Sequence, residues 1–134
     1  MKRLLLALVL PLAVAGCGEA QDTSLEKFQG DQRAVAQKVE DLQEAGEGRK
    51  PEDICSDILS RTVVDQLEAA STDCAEEMKK AIEDVDDYDL ETRKVTVQGD
   101  QATAEVRQGS DGPTTTMQFV REGDQWRAVS LNAD

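Results

Sequence analysis

The chain contains no histidine. That absence removes Ser-His-Asp and Cys-His catalysis and every metal site built on imidazole. Positive charge is also short: 15 lysines and arginines stand against 28 aspartates and glutamates, a formal net charge of −13. A surface of that sign is soluble and repels nucleic acid and anionic headgroups, so nucleic acid is not an expected partner. The longest apolar run, residues 4–15, has about a dozen positions, too few to span a bilayer. Aromatic side chains are scarce, with one Trp, one Tyr and two Phe, so the core needs those present. The three cysteines include no closely spaced pair. No internal repeat or low-complexity linker divides the chain, and its length suits one domain.

What is present reads most clearly between residues 93 and 131. KVTVQGDQATAEVRQ, GSDGP and TTTMQFVREGDQWRAVSL form two successive hairpins, hence four strands of one antiparallel sheet. Gly99-Asp100, a two-residue loop with glycine first, suits a type II′ turn. Counting outward pairs Gln98 with Gln101, Val97 with Ala102, Thr96 with Thr103, Val95 with Ala104 and Lys94 with Glu105. One face then carries Val95, Val97, Ala102, Ala104 and Val106. The other carries a threonine pair and an opposite-charge pair, each worth roughly 0.2–1 kcal/mol. A slip of one residue would turn the apolar set to water, so the register is well specified. The second hairpin turns at Gly123-Asp124 and puts Met117, Phe119, Trp126 and Ala128 on one face. Val120, Val129 and Leu131 fall on the other, an apolar surface that calls for cover by a helix, the chain ends or a partner subunit.

At the start of the chain, Met1-Lys2-Arg3 precedes the apolar run in the pattern of a secretory signal. The run closes in Val14-Ala15-Gly16-Cys17. This resembles the lipobox of bacterial lipoprotein signals: an aliphatic residue, two small residues and a cysteine. The resemblance implies cleavage before Cys17 and a diacylglyceryl thioether on its sulfur. Two or three acyl chains such as palmitate, at about 0.8 kcal/mol per buried methylene, make a stable anchor. Residues 1–16 are then the signal, 17–24 a polar tether and 25–134 the domain, held at the extracytoplasmic side of the cell membrane. Loss of Lys2 and Arg3 removes two positive charges and takes the net charge from −13 to −15.

Before the strands, the apolar spacing is helical. Leu25, Phe28, Val35, Val39 and Leu42 recur every three or four positions, with Gln32 the polar interruption. Thr23 or Ser24 can cap that helix, and Gly46 and Gly48 end it. Pro51 opens a short helix with Ile54, Ile58 and Leu59 inward. Residues 62–70 form a third, with Val63, Val64 and Leu67; Asp73 with Glu76 starts a fourth, carrying Ala75, Met78, Ile82 and Val85. Helices first and strands after indicate an α+β domain, with helices packed on a curved sheet. With Cys17 taken by lipid, Cys55 and Cys74 are most simply a disulfide, as expected outside the cytoplasm. The competing reading, a reactive thiol or metal pair, lacks histidine and close cysteine spacing.

A cysteine-bracketed helix pair followed by a terminal meander, with GDQAT at 99–103 and VREGDQWR at 120–127, resembles the nuclear transport factor 2-like superfamily. The likeness covers roughly residues 25–132 and is narrowest to small bacterial lipoproteins of that fold without an assigned activity. It implies a curved sheet wrapped around helices into a cone that serves as active site, ligand pocket or plain core.

Enzymes of this superfamily isomerise or dehydrate with a carboxylate base and a tyrosine or acid donating to an oxyanion. The one tyrosine, Tyr88, sits among Asp84, Asp86, Asp87 and Asp89, which reads more simply as a solvated or partly packed loop. The same acidic run lacks the glycine and the final glutamate of a calcium-binding loop. Met117, Phe119 and Trp126, with Arg121 at the rim, are the candidate pocket for a small apolar ligand, or simply core. Arg121 and Arg127 flank the tryptophan and can reach an anion or the surface carboxylates. Residues 109–113 read as a plain connection. With no acid at the inward strand positions, the expectation is a non-enzymatic binding or interaction module, without metal or cofactor. A protein partner or a homodimer is its other candidate partner. The alternative is an isomerase or hydratase whose base comes from a helix.

Overall fold

The computed structural model describes residues 24–133. The expected signal at 1–16, Cys17 and the expected tether up to Thr23 lie outside them. The architecture is α+β: helices, then a four-stranded antiparallel sheet. A 3₁₀ turn at Ser24–Lys27 precedes α1 (Gly30–Glu47), α2 (Pro51–Asp53), α3 (Arg61–Ala69) and α4 (Cys74–Glu83). The strands are β1 (Leu90–Gln98), β2 (Gln101–Gln108), β3 (Thr114–Glu122) and β4 (Gln125–Ala133), a meander in the order β1-β2-β3-β4.

The first hairpin has the register counted from the sequence, from Gln98 opposite Gln101 to Lys94 opposite Glu105. Gly99 turns it at φ +59, while Asp100 is not among the positive-φ residues, as a type II′ turn requires. Beyond Lys94 the register shifts at Arg93, so Thr92 pairs with Val106. A second irregularity changes β4. Phe119 pairs with Ala128 but Gln118 with Ser130, leaving Val129 as the extra residue. An extra residue reverses the parity of the residues that follow, until the register shifts again and Thr116 pairs with Ala133. Leu131, expected beside Val120 and Val129, therefore turns to the inner face and packs against the core.

The helical half corrects the sequence reading at the start of its first helix. Leu25 and Phe28 do not belong to α1; Leu25 sits in the 3₁₀ turn and Phe28 directly after it, its N–H donating to Leu25 O at 3.1 Å, and both are buried. Gly30, at φ +58, lets the chain fold back there, and the N-cap is Gln29. The apolar spacing runs on across the break because turn and helix bury the same core. At the other end α1 passes through Gly46, and Gly48 is its C-cap. Lys50 N–H donates to Ala45 O at 2.8 Å and Arg49 N–H to Gly46 O at 3.1 Å, a Schellman closure with Arg49 at φ +52. Gln32, the polar interruption, donates from Nε2 to Val95 O at 3.2 Å, and Gln43 Oε1 accepts from Leu90 N–H at 2.9 Å. Two glutamines of α1 thus serve the free edge of β1.

After α2 a π turn at Ile54–Ile58 buries Ile54 and Ile58. Leu59 bridges Ala128, and Ser60 N–H donates to Ala128 O at 2.8 Å, so the helical half covers the β4 edge too. Ser60 also caps α3, accepting from Val63 N–H at 3.3 Å, and Asp73 caps α4, accepting from Glu76 N–H at 3.0 Å. The core lies between α1, the π turn and α4 on one side and the inner sheet face on the other. Val35, Ala36 and Val39 meet a sheet lined by Ala102, Ala104, Val106, Phe119, Trp126 and Ala128, all buried. The alanines keep that face low enough for the helices to close on it.

Candidate functional site

The inner sheet face does not end in packed core. At the end of the sheet where β1 begins, a cleft of about 150 Å³ opens between α4 and the strands. Leu42, Met78, Ile82, Leu90, Met117 and Leu131 supply most of its apolar wall, with Val85 and Tyr88 at the loop side. Leu42, Met78, Leu90 and Leu131 are only half-buried, so the wall faces solvent. Its polar lining is Tyr88, Gln108 and Thr115; among the described residues no carboxylate lines it.

Tyr88 shapes the cleft. Its hydroxyl donates to Ile82 O near the end of α4, at 2.5 Å. Its ring packs against α1 at Gly46, where an added Cβ would come within 2.4 Å of Cδ1. Burial pushes the phenol pKa up, against the charge of Arg49 and with that of Asp84. A hydroxyl spent on a backbone carbonyl acts as a brace between α1 and α4, not as a donor to an oxyanion.

Of the candidate pocket residues from the sequence, Met117 lines this cleft. Phe119 and Trp126 are buried in the core at 2% and 3% exposure. Arg121 stacks on Trp126 at 4.7 Å and pairs with Asp31 at 2.7 Å and Asp100 at 3.6 Å. That arginine belongs to the hairpin-turn end of the sheet, where carboxylates already engage it. Arg127 donates to Ser56 O at 2.6 Å, tying β4 to the π turn. Cys55 and Cys74 are bonded, with Cα atoms 6.1 Å apart, and join the π turn to the start of α4. Among the described residues, no three His, Cys, Asp or Glu side chains converge as metal ligands.

The outer sheet face carries a shallow groove of about 300 Å³, lined by Thr96, Gln98, Gln101, Thr103 and Gln118 along with Val120 and Val129. With Leu131 turned inward, the apolar patch read from the sequence shrinks to two half-buried valines. The residues that the sequence reading missed as a site are Leu42, Met78, Leu90 and Leu131. Leu42 and Met78 read as ordinary core positions and Leu131 as part of the outer face, and the Val129 bulge that brings Leu131 inside has no local signature. Comparison of the chain with protein-family models, with curated proteins and with solved structures finds no match.

Proposed function

We propose that this chain is a lipoprotein anchored through Cys17 at the extracytoplasmic side of the cell membrane, with a nuclear transport factor 2-like domain acting as a non-enzymatic module that binds a small apolar ligand. The cleft carries the reading. It is apolar on both walls, faces solvent, and is comparable in volume to dry cavities of about 150 Å³ that take benzene-sized guests. A general base must reach its substrate by a hydrogen bond or through one water, and among the described residues the lining supplies no carboxylate for that purpose. Tyr88, the remaining acid of the superfamily pattern, is engaged with Ile82. The Val14 to Cys17 motif supports the anchor, and the Cys55–Cys74 bond suits an oxidising compartment. The reduced patch on the outer sheet face favours a ligand over a subunit partner.

Native mass spectrometry of the protein taken from its own membrane tests this. The expected spectrum shows diacylglyceryl mass on Cys17 and a small molecule retained at one-to-one stoichiometry. A free amino terminus elsewhere without lipid refutes the anchor. Turnover of a candidate substrate that is lost on filling the cleft, as in Ala81→Trp, refutes the non-enzymatic reading.

A further inference from the structure

We infer that the cleft selects an amphiphile with a short apolar tail and a cationic head. This rests on the binding reading above and adds the charge of the ligand. The tail is argued from the walls, the head from the mouth. Val85 and Tyr88 line the cleft, and the segment that bears them carries Asp84, Asp86, Asp87 and Asp89, all exposed. None of the four pairs with a cation among the described residues.

This acidic segment is held at the mouth. Gln108, itself part of the lining, donates from Nε2 to Asp87 O at 3.0 Å. Gly109 N–H donates to Asp89 O at 2.7 Å, and Asp89 N–H to Asp87 Oδ1 at 2.9 Å. The loop is therefore tied to the β2–β3 connection, where Asp111 adds a further exposed carboxylate. Against these stand Arg49, whose charge acts on Tyr88, and Lys79 beside Met78; Lys80 is already bound to Glu77 at 3.0 Å. Carboxylates outnumber cations at the opening. A tail seated on Met78, Leu90 and Leu131 leaves its head among aspartates. A cation gains there, and an anion is repelled.

Several like unit charges within about one Debye length, roughly 8 Å at physiological ionic strength, give a preference of cation over anion on the order of tenfold or more, weakened as added salt shortens that length.

The test uses the whole mature sequence, residues 17–134, with Cys17→Ser to keep it free of lipid and detergent. Hexyltrimethylammonium, hexanol and hexanoate are titrated and followed by methyl NMR shifts. The expected order is cation, then alcohol, then anion, with shifts at Met78, Leu90 and Leu131. The gap between cation and anion should narrow severalfold from low to high salt. Asp86→Asn with Asp89→Asn should weaken the cation and leave hexanol unchanged. Ala81→Trp, at an exposed position of the lining, should abolish all three while the fold persists. Equal affinity for the three probes, with shifts still at the cleft, overturns the head-group inference and leaves the apolar site standing. No shift at the cleft with any probe overturns the binding reading itself.

Discussion

Gly46→Ala makes the sharpest test of the packing that frames the cleft. Gly46 lies inside α1, and in an ordinary helix interior alanine for glycine stabilises by about 1 kcal/mol. Here the new Cβ would meet Tyr88 Cδ1 at 2.4 Å and Cε1 at 2.5 Å, closer than carbon atoms can approach. The ring has no easy escape, because its hydroxyl is bonded to Ile82 O. Moving it forfeits that hydrogen bond, about 1 kcal/mol net. It also re-exposes part of a ring whose burial is worth about 1–2 kcal/mol. After the helix gain is subtracted, the variant should be less stable by about 1–2 kcal/mol, a fall in Tm of roughly 5–10 °C for a domain of this size. Thermal unfolding followed by circular dichroism reads it. The control is the same change in a Tyr88→Ala background, where the clash is gone and alanine should raise stability. The double-mutant coupling should come to about 2–3 kcal/mol. A single Gly46→Ala variant that melts above the parent would refute the Tyr88–Gly46 contact as described.

Other expectations follow from the same geometry. Replacing Cys55 and Cys74 together by serine opens a loop of sequence separation 19, and should lower stability by about 3 kcal/mol in the chain-entropy model, as should reduction; equal melting curves for oxidised and reduced protein would contradict it. Arg49→Gly relieves a left-handed residue at φ +52 and should stabilise by up to about 1 kcal/mol, seen as a higher denaturant midpoint at unchanged slope. Thr92 is fully buried with its Oγ1 unpartnered, so Thr92→Val should stabilise by about 1 kcal/mol. A drop in stability would mean that the hydroxyl has a partner. Tyr88 is the one tyrosine, so phenolate absorbance reports it alone. Burial raises its pKa, so its titration midpoint in the folded protein should lie above 10.0. The folded value exceeds the unfolded one. The neutral phenol's contribution to stability is therefore complete below the unfolded pKa and drains away as pH climbs through the folded one.

The residues differ in how much of this they announce by themselves. The hairpin from Lys94 to Glu105 is legible because its contacts join near neighbours: a glycine-led turn and a period-two alternation leave one register that keeps the valines dry. The cap at Asp73 and the pairing of Cys55 with Cys74 are of the same kind, a side chain with few alternatives. Tertiary packing decided the rest. The spacing from Leu25 to Leu42 reads as one helix, yet Gly30 breaks it, because the turn and α1 can bury the same core from two directions. Leu131 lies on the wrong face by simple counting, since one extra residue at Val129 reverses the parity. Gly46 reads as a helix terminator until Tyr88, distant in sequence, is laid on it. The cleft itself joins residues 42, 78, 90, 117 and 131, drawn from two helices and three strands. No local pattern encodes a cavity, which exists only where elements far apart in sequence fail to close completely on one another.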